Sequence, residues 1–420
     1  MAIRDVNGDK KGPGPLAGVR VVDVCRYVAG AVATRILADL GAEVIKVESP
    51  QSFDPLRLSK PVPGGEPGSL NRSPLWANLN HNKMSVSLNL WHPTALEVLK
   101  RLISVSDIVV ESMRPRVMAR WGLTYKEVTK LRPDIVYVSI SGFGHSGMHS
   151  DYVSFGPVAQ ALGGLTLMTG LPGYPPAGVG FSILDYYPGC FGALGALGAY
   201  YHRQQSGPGQ HIDVSQVDVG AVVTGPSVLD RVVNQRSYRR PGNPPGNRST
   251  SRPAAPEGVY PCKGQDQWCA ITVRTDEEWQ SLGKALGGPA WARDSKFLAA
   301  DGRSSHREEL DARLADHTRQ FSKHELMELL QKNGVAAGAV QSPEDRARDP
   351  QLAAREYFRQ FHYPGFGSRP TDVFPFKFSS YRVGELRPPP TIGQDNDYVL
   401  HHLLNMSGEE TELLAKEGAI

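Results

Sequence analysis

Residues 18–48 constrain the fold of this chain more than any other stretch. They read GVRVVDV, then AGAVATRILADLG, then AEVIKVE: a short β-branched run, a segment with apolar residues at helical spacing, and a second β-branched run. Two strands joined through one covering helix run parallel, because the helix carries the chain back to the edge it left. The alternation continues. Residues 95–104 have a helical period, 107–111 (DIVVE) read as a strand, 125–131 as a helix and 134–139 (DIVYVS) as a strand. These strands are almost continuously apolar, which requires burial on both faces and so a parallel sheet with helices on each side.

Several function classes fall away on the same reading. A dinucleotide site of the usual kind places G-x-G-x-x-G directly after the first strand, whereas Asp23 is followed by VCRYVAGAVAT with Gly30 alone. The glycines at 189, 192, 195 and 198 recur every third residue and line one face of a helix, a pattern for close packing rather than a phosphate loop. Lys and Arg number 46 against 43 Asp and Glu, with no dense basic block, so nucleic acid is not an expected partner. Four cysteines without a C-x2-C pair provide neither a disulfide framework nor a zinc site. They read as buried small hydrophobes in a reducing cytoplasm, and no metal is expected. Residues 1–15 lack the apolar core of a signal peptide, and the richest apolar stretch, 179–201, is interrupted by Asp185 and Pro188. A cytoplasmic chain without a membrane partner is the expectation.

The organisation follows from punctuation. Residues 231–261 turn polar and rich in Pro and Gly, after which 267–273 (QWCAITV) read as a strand and 277–286 and 306–330 as helices. This predicts a large parallel-sheet domain over 1–230, a linker or loop at 231–255, a small α+β domain at 256–365 and a return segment at 366–420. His145 and His149, in a loop without a metal-ligand pattern, read as surface or turn residues.

Blocks along nearly the whole chain carry a resemblance. Residues 15–50 (PLAGVRVVDVCRYVAGAVATRILADLGAEVIKVESP) are followed in order by DPLR at 54–57, NHNKMSVSLNL at 80–90 and DIVVESMRPRVMARWG at 107–122. Then come YVSISGFGHSG at 137–147, VAQALGG at 158–164, SGPGQHIDVSQVD at 206–218, GVAAGAV at 334–340, DPQLAAR at 349–355 and PTIGQ at 390–394. In this order the blocks resemble the class III CoA-transferases, the CaiB/BaiF type that includes formyl-CoA:oxalate and carnitine CoA-transferases, with α-methylacyl-CoA racemases as a side branch. The chain departs from the family's first block at Ala31, where proline is usual.

The resemblance implies an α/β fold, a large Rossmann-like parallel-sheet domain plus a smaller α+β domain, in an interlocked, ring-like homodimer. It implies transfer of CoA from an acyl-CoA to a free carboxylic acid, with CoA as substrate and no permanently bound cofactor. The family's catalytic aspartate corresponds to Asp185; read without the family, an acid opening a helix is an N-cap or first-turn residue, and the two roles are compatible. A helix N-terminus is expected to keep Asp185 ionised. CoA contacts are expected at Arg26, Tyr27, Val28 and Ala29 in the first β-α turn, at Leu88 and Trp91, at Ser112, Met113 and Arg114, and at Arg120. The chain differs from better-known members at Val28, Ser112 and Trp121, and Arg120 also reads as a solvated helix arginine. The 242–253 loop fits a lid or a plain connector, and long connections are expected around Asn234 and Pro364. Two alternatives stay open: a 2-methylacyl-CoA racemase, which needs a His base where this chain has Phe155, and a non-catalytic CoA-binding protein, against which Asp185 argues.

Overall fold

The computed structural model describes residues 14–59, 69–248, 254–363, 367–373, 375–379, 381 and 386–420. Six strands form one sheet: β1 (Arg20–Asp23), β2 (Glu43–Glu48), β3 (Met84–Ser87), β4 (Ile108–Glu111), β5 (Val136–Ser141) and β6 (His211–Ser215). Their order is β3-β2-β1-β4-β5-β6 and every pairing is parallel. The order reverses between β1 and β4, and in such sheets the crevice beyond the carboxyl ends of the two diverging strands is where ligands bind.

The helices up to residue 234 are α1 (Tyr27–Asp39), α2 (Pro74–Asn80), α3 (Pro93–Ser104), α4 (Pro115–Arg120), α5 (Tyr125–Leu131), α6 (Gly156–Leu162), α7 (Leu165–Met168), α8 (Ile183–Ser206), α9 (Gln216–Val223) and α10 (Gly225–Asn234). Adjacent strand residues point to opposite faces, so Val22 and Val109 join Leu99 and Leu102 of α3 in one core, while Val21 and Val110 join Leu37 of α1 and Ala196 of α8 in the other. Both faces of the sheet are therefore covered, as the apolar strands require. The glycine spacing of α8 has its anticipated effect at three of four positions. A Cβ at Gly189 would lie 2.6 Å from Ala29 O, one at Gly192 2.5 Å from Ile140 Cδ1, and one at Gly195 2.8 Å from Ile212 Cγ2, but Gly198 faces open space. The C-terminal return covers the free edge of β3, where Ser85 N–H donates to Asp395 Oδ2 and Ser87 N–H to Asn396 Oδ1, each at 2.8 Å.

The chain divides into two compact units, one of Met1–Thr166, Gly178–Val233 and Ala354–Ile420, the other of Leu167–Ala177 and Asn234–Ala353. The second is α+β: β7 (Glu257–Pro261), β8 (Trp268–Thr272) and β9 (Ala336–Ala339) form an antiparallel sheet, and its core contains Trp279, Phe297, Leu310 and Leu326. The hairpin of β10 (Phe358–Tyr363) and β11 (Gly367–Asp372) belongs to the first unit, so the observed division falls at 353/354 instead of near 365. The helix expected over 306–330 is two, Arg307–Thr318 and Lys323–Lys332. Ser322 and Glu325 form a capping box that starts the second, a signal that apolar spacing alone overlooks. Of the cysteines, Cys25, Cys262 and Cys269 are buried as expected and Cys190, on the outer side of α8, is exposed. Pro364 and residues 249–253 of the anticipated loop lie outside the described residues.

Candidate active site

The turn leaving β1 is fixed by buried charge. The Asp23 carboxylate accepts hydrogen bonds from Cys25 N–H at 2.9 Å, Thr34 Oγ1 at 2.7 Å and Lys83 Nζ at 3.0 Å, while Lys46 Nζ donates to Cys25 O at 3.0 Å. Burial alone would raise the Asp23 pKa; Lys46 and Lys83 outweigh it and hold the group well below the usual carboxylate range. Beyond this anchor, Arg26 N–H donates to Ser112 Oγ at 2.9 Å and the Ser112 hydroxyl donates to Arg26 O at 3.0 Å. The β1–α1 and β4–α4 turns are thereby tied together at the point where the strand order reverses. Tyr27 adopts a φ of +61°, a region non-glycine residues seldom occupy, with its N–H on Asp54 Oδ1 at 3.2 Å.

The structure thus brings Arg26, Tyr27, Val28 and Ala29 together with Ser112, Met113 and Arg114 at the carboxyl ends of β1 and β4. Arg26 donates to Ser52 Oγ at 3.0 Å, Val28 is half-buried, Ala29 is buried and Met113 packs partly against the core. Arg114 and Arg120, at the two ends of α4, are exposed. Trp91 is also exposed and meets the edge of Trp121 at a centroid distance of 5.9 Å. Leu88 turns its side chain into the core, 1% exposed, which leaves only its backbone to border a ligand. The period-2 pattern of MSVSL carries the reason, because Leu88 shares its inward face with Val86.

Asp185 lies in the first turn of α8, where the backbone is broken. Leu184 leaves helical geometry at φ −81°, ψ 15°, and Pro188 sits one turn on. Gln216, 7% exposed and the first residue of α9, donates through Nε2 to Leu184 O and to Asp185 Oδ1, both at 2.9 Å. Gly156 opens α6 against the other oxygen, and a Cβ there would stand 2.6 Å from Asp185 Oδ2, so only glycine permits the approach. The preceding residue, Phe155, packs edge-on against Tyr27 at 5.7 Å, which connects the β1–α1 turn to the carboxylate. Burial pushes the Asp185 carboxyl up, opposed by hydrogen bonds from Gln216 and Ser182. At this half-buried position desolvation is the larger influence, and the Gln216 and Ser182 hydrogen bonds act in the direction expected of the helix N-terminus, toward the ionised form.

His145 is not a plain surface residue. Its N–H donates to both oxygens of Asp213, at 3.0 and 2.8 Å, and its Nε2 lies 3.3 Å from Oε1 of the fully buried Glu111. Burial raises the Glu111 pKa to about 7 against donation from Ser139 and Met113 N–H, and burial lowers that of His145. Glu111, Ser139 and Asp213 are register partners across β4, β5 and β6, a row that the sequence alone does not line up. His149 stays exposed and stacks on Tyr152 at 4.4 Å. Among the described residues no group of His, Cys, Asp and Glu is arranged to hold a metal ion. In the 242–253 loop, Asn243 Nδ2 donates to Tyr238 O at 3.0 Å and Arg248 pairs with Asp311 at 3.5 Å.

A doubly covered parallel sheet whose strand order reverses between β1 and β4, with the Asp185 carboxylate reached from the turn at that point through Phe155, is the layout of an α/β ligand-binding protein. The family model for CoA-transferase family III matches residues 16–396, and the chain belongs to that family. It is 32% identical over 409 residues to a succinyl-CoA–D-citramalate CoA-transferase of Chloroflexus aurantiacus, covering 97% of this chain and 98% of the relative. It is 30% identical over 391 residues to a succinate–glutarate CoA-transferase of Agrobacterium fabrum, covering 93% and 96%. A crystal structure of a CAIB/BAIF family protein from Brucella suis superposes with a TM-score of 0.82 at 27% identity, over 93% of this chain and all of that one. The protein is accordingly a CoA-transferase, acting between acyl-CoA thioesters and carboxylic acids. No helix among the described residues is long and apolar enough to cross a membrane.

Proposed function

We propose that Asp185 is the covalent carrier of an acyl-CoA:carboxylate CoA transfer. The observation that supports this is a half-buried carboxylate, without a charged partner in hydrogen-bond contact among the described residues, next to the turn that the family uses for CoA. Desolvation makes it a better nucleophile than a solvated aspartate. One oxygen attacks the thioester carbonyl, the C–S bond breaks, and a mixed anhydride and CoA thiolate result. The thiolate attacks aspartyl Cγ and expels the first acid as its carboxylate, leaving an aspartyl-CoA thioester. An acceptor carboxylate then attacks Cγ and releases the thiolate, which takes the new acyl group and frees Asp185. Each step conserves charge and needs no redox partner.

In this reading Arg120 holds a CoA phosphate, for which guanidinium geometry is suited. The turn of Arg26, Tyr27, Val28 and Ala29 borders the pantetheine and diphosphate arm, and Trp91 with Ser112, Met113 and Arg114 borders the adenosine. The racemase alternative needs a second proton carrier opposite Asp185. The Phe155 ring packs on Tyr27 there and His145 turns toward Glu111, which favours transfer. The two named relatives pair a succinyl group with a second dicarboxylic acid, so succinyl-CoA with a panel of dicarboxylates is the first assay. Asp185→Ala is expected to abolish transfer and hydroxylamine trapping of an acyl-enzyme while leaving CoA affinity by calorimetry nearly unchanged. Retained turnover in that variant would refute the assignment.

A further inference from the structure

Every carbonyl in the body of a helix expects the N–H four residues on, and for Leu184 that residue is Pro188, which has none. The vacancy is filled from another helix. Gln216, nearly buried, spends one N–H of its amide on Leu184 O and the other on Asp185 Oδ1. A side-chain amide has two such hydrogens on one nitrogen, so the first bond fixes the direction of the second. A glutamine needed only to repair the helix would have no cause to face a carboxylate as well, and one needed only to ionise it would not be held so firmly.

We propose that Gln216 is the oxyanion donor for the aspartyl carbon, oriented for that purpose by the carbonyl that Pro188 leaves open. The inference rests on Asp185 being the covalent carrier. When thiolate attacks Cγ of the anhydride, the C=Oδ1 electron pair moves onto Oδ1; it returns as the first acid leaves with the other oxygen. The same charge forms on Oδ1 when the acceptor acid attacks the aspartyl thioester. A donor 2.9 Å from Oδ1 in the resting enzyme, held independently of the carboxylate, strengthens as that charge grows. Gln216 does not touch the thioester carbonyl attacked in the first step, whose oxygen belongs to the substrate. It therefore assists the two attacks on Cγ and leaves formation of the anhydride to other groups.

That division yields a signature that general destabilisation does not. Gln216→Met keeps the bulk and removes both donors. Its transfer kcat is expected to fall about 100-fold, the effect of losing one oxyanion donor, with KM for acyl-CoA little changed. Anhydride that still forms but is slow to accept thiolate is exposed to water, so the ratio of acyl-CoA hydrolysis to transfer rises. Gln216→Glu keeps the side-chain length but needs a proton to donate; its transfer rate is expected to climb as pH is lowered from 8 toward 6, where the wild-type rate does not. Transfer by Gln216→Met within threefold of wild type, or hydrolysis and transfer falling in equal proportion, would overturn the role of Gln216. So would a Gln216→Glu rate with no rise toward acid pH. Asp185→Ala in the same assays separates the two claims, since turnover in that variant would refute the carrier itself.

Discussion

At the scale of single residues, the candidate site holds two carboxyls in different surroundings. Asp185 is half-buried and is the carrier proposed above, while Glu111 is fully buried and faces His145. The folded pKa of Glu111, about 7, lies above its ordinary 4.5, so the folded state binds its proton more tightly than the unfolded chain. The stability this group contributes is fully present below pH 4.5 and is lost as pH rises through about 7. Glu111→Gln retains the shape of the neutral acid, accepts from Met113 N–H and donates toward His145 Nε2. The variant is expected to melt at a higher temperature than wild type at pH 8, by about 2–4 °C per kcal/mol relieved, with the difference closing as the pH falls below 4.5. Equal melting points at pH 8 by circular dichroism would show that Glu111 is not held protonated. Neither Glu111 nor Gln216 was legible in the sequence. An acid ending the strand DIVVE looks like any strand terminus, and the bond from Gln216 to Asp185 joins residues 31 apart whose meeting depends on how α9 packs on α8. Asp185 was legible only through family resemblance, because a first-turn acid by itself has an ordinary capping explanation.

At the scale of elements, the sequence was most informative where a pattern had a single physical solution. Buried apolar runs alternating with helical periods left little but a doubly covered parallel sheet, and β1, α1, β2, β4 and β5 all fall where that pattern put them. It was least informative where a local cap competed with periodicity, as at Ser322, or where an amphipathic spacing hid a break, as at Leu184 and Pro188. The glycines of α8 turn this distinction into a measurement. Gly189→Ala would drive a methyl to 2.6 Å from both Ala29 O and Val32 Cβ, backbone and branched carbon that cannot swing aside. Its expected cost is about 1–3 kcal/mol, and because Ala29 lies in the candidate CoA turn, affinity for CoA should weaken with it. Gly198→Ala meets nothing within 4 Å and should gain about 0.8–1 kcal/mol of helix propensity. Denaturant titrations that ranked the two alike would mean that α8 does not pack as closely on α1 as the structure has it.

At the scale of the whole molecule, the larger unit carries exposed apolar side chains on three of its helices. Helix α10 spans ten residues and buries none of them, although Val228, Leu229 and Val233 form an apolar stripe in which Leu229 is 62% and Val233 72% exposed. A helix this short gains little from propensity in water and owes its stability to what covers its apolar face. Exposed Leu194 and Tyr201 on α8 and Val222 on α9 add apolar surface on the neighbouring helices of the same unit. Apolar exposure on this scale marks an interface, and a second copy of the chain is the occupant that the family resemblance implies. We expect a homodimer that persists in mass photometry at nanomolar concentration. If the two subunits thread through one another, dissociation requires unfolding, and differently labelled dimers mixed under native conditions should show no exchange over hours. Charges placed in the stripe by Leu229→Glu with Val233→Glu should then act on assembly during refolding, lowering the yield of dimer without hastening exchange of dimers already formed. Wild-type monomer at nanomolar concentration would refute the dimer, whereas a stable dimer that exchanges subunits within minutes would keep the interface and refute the interlock.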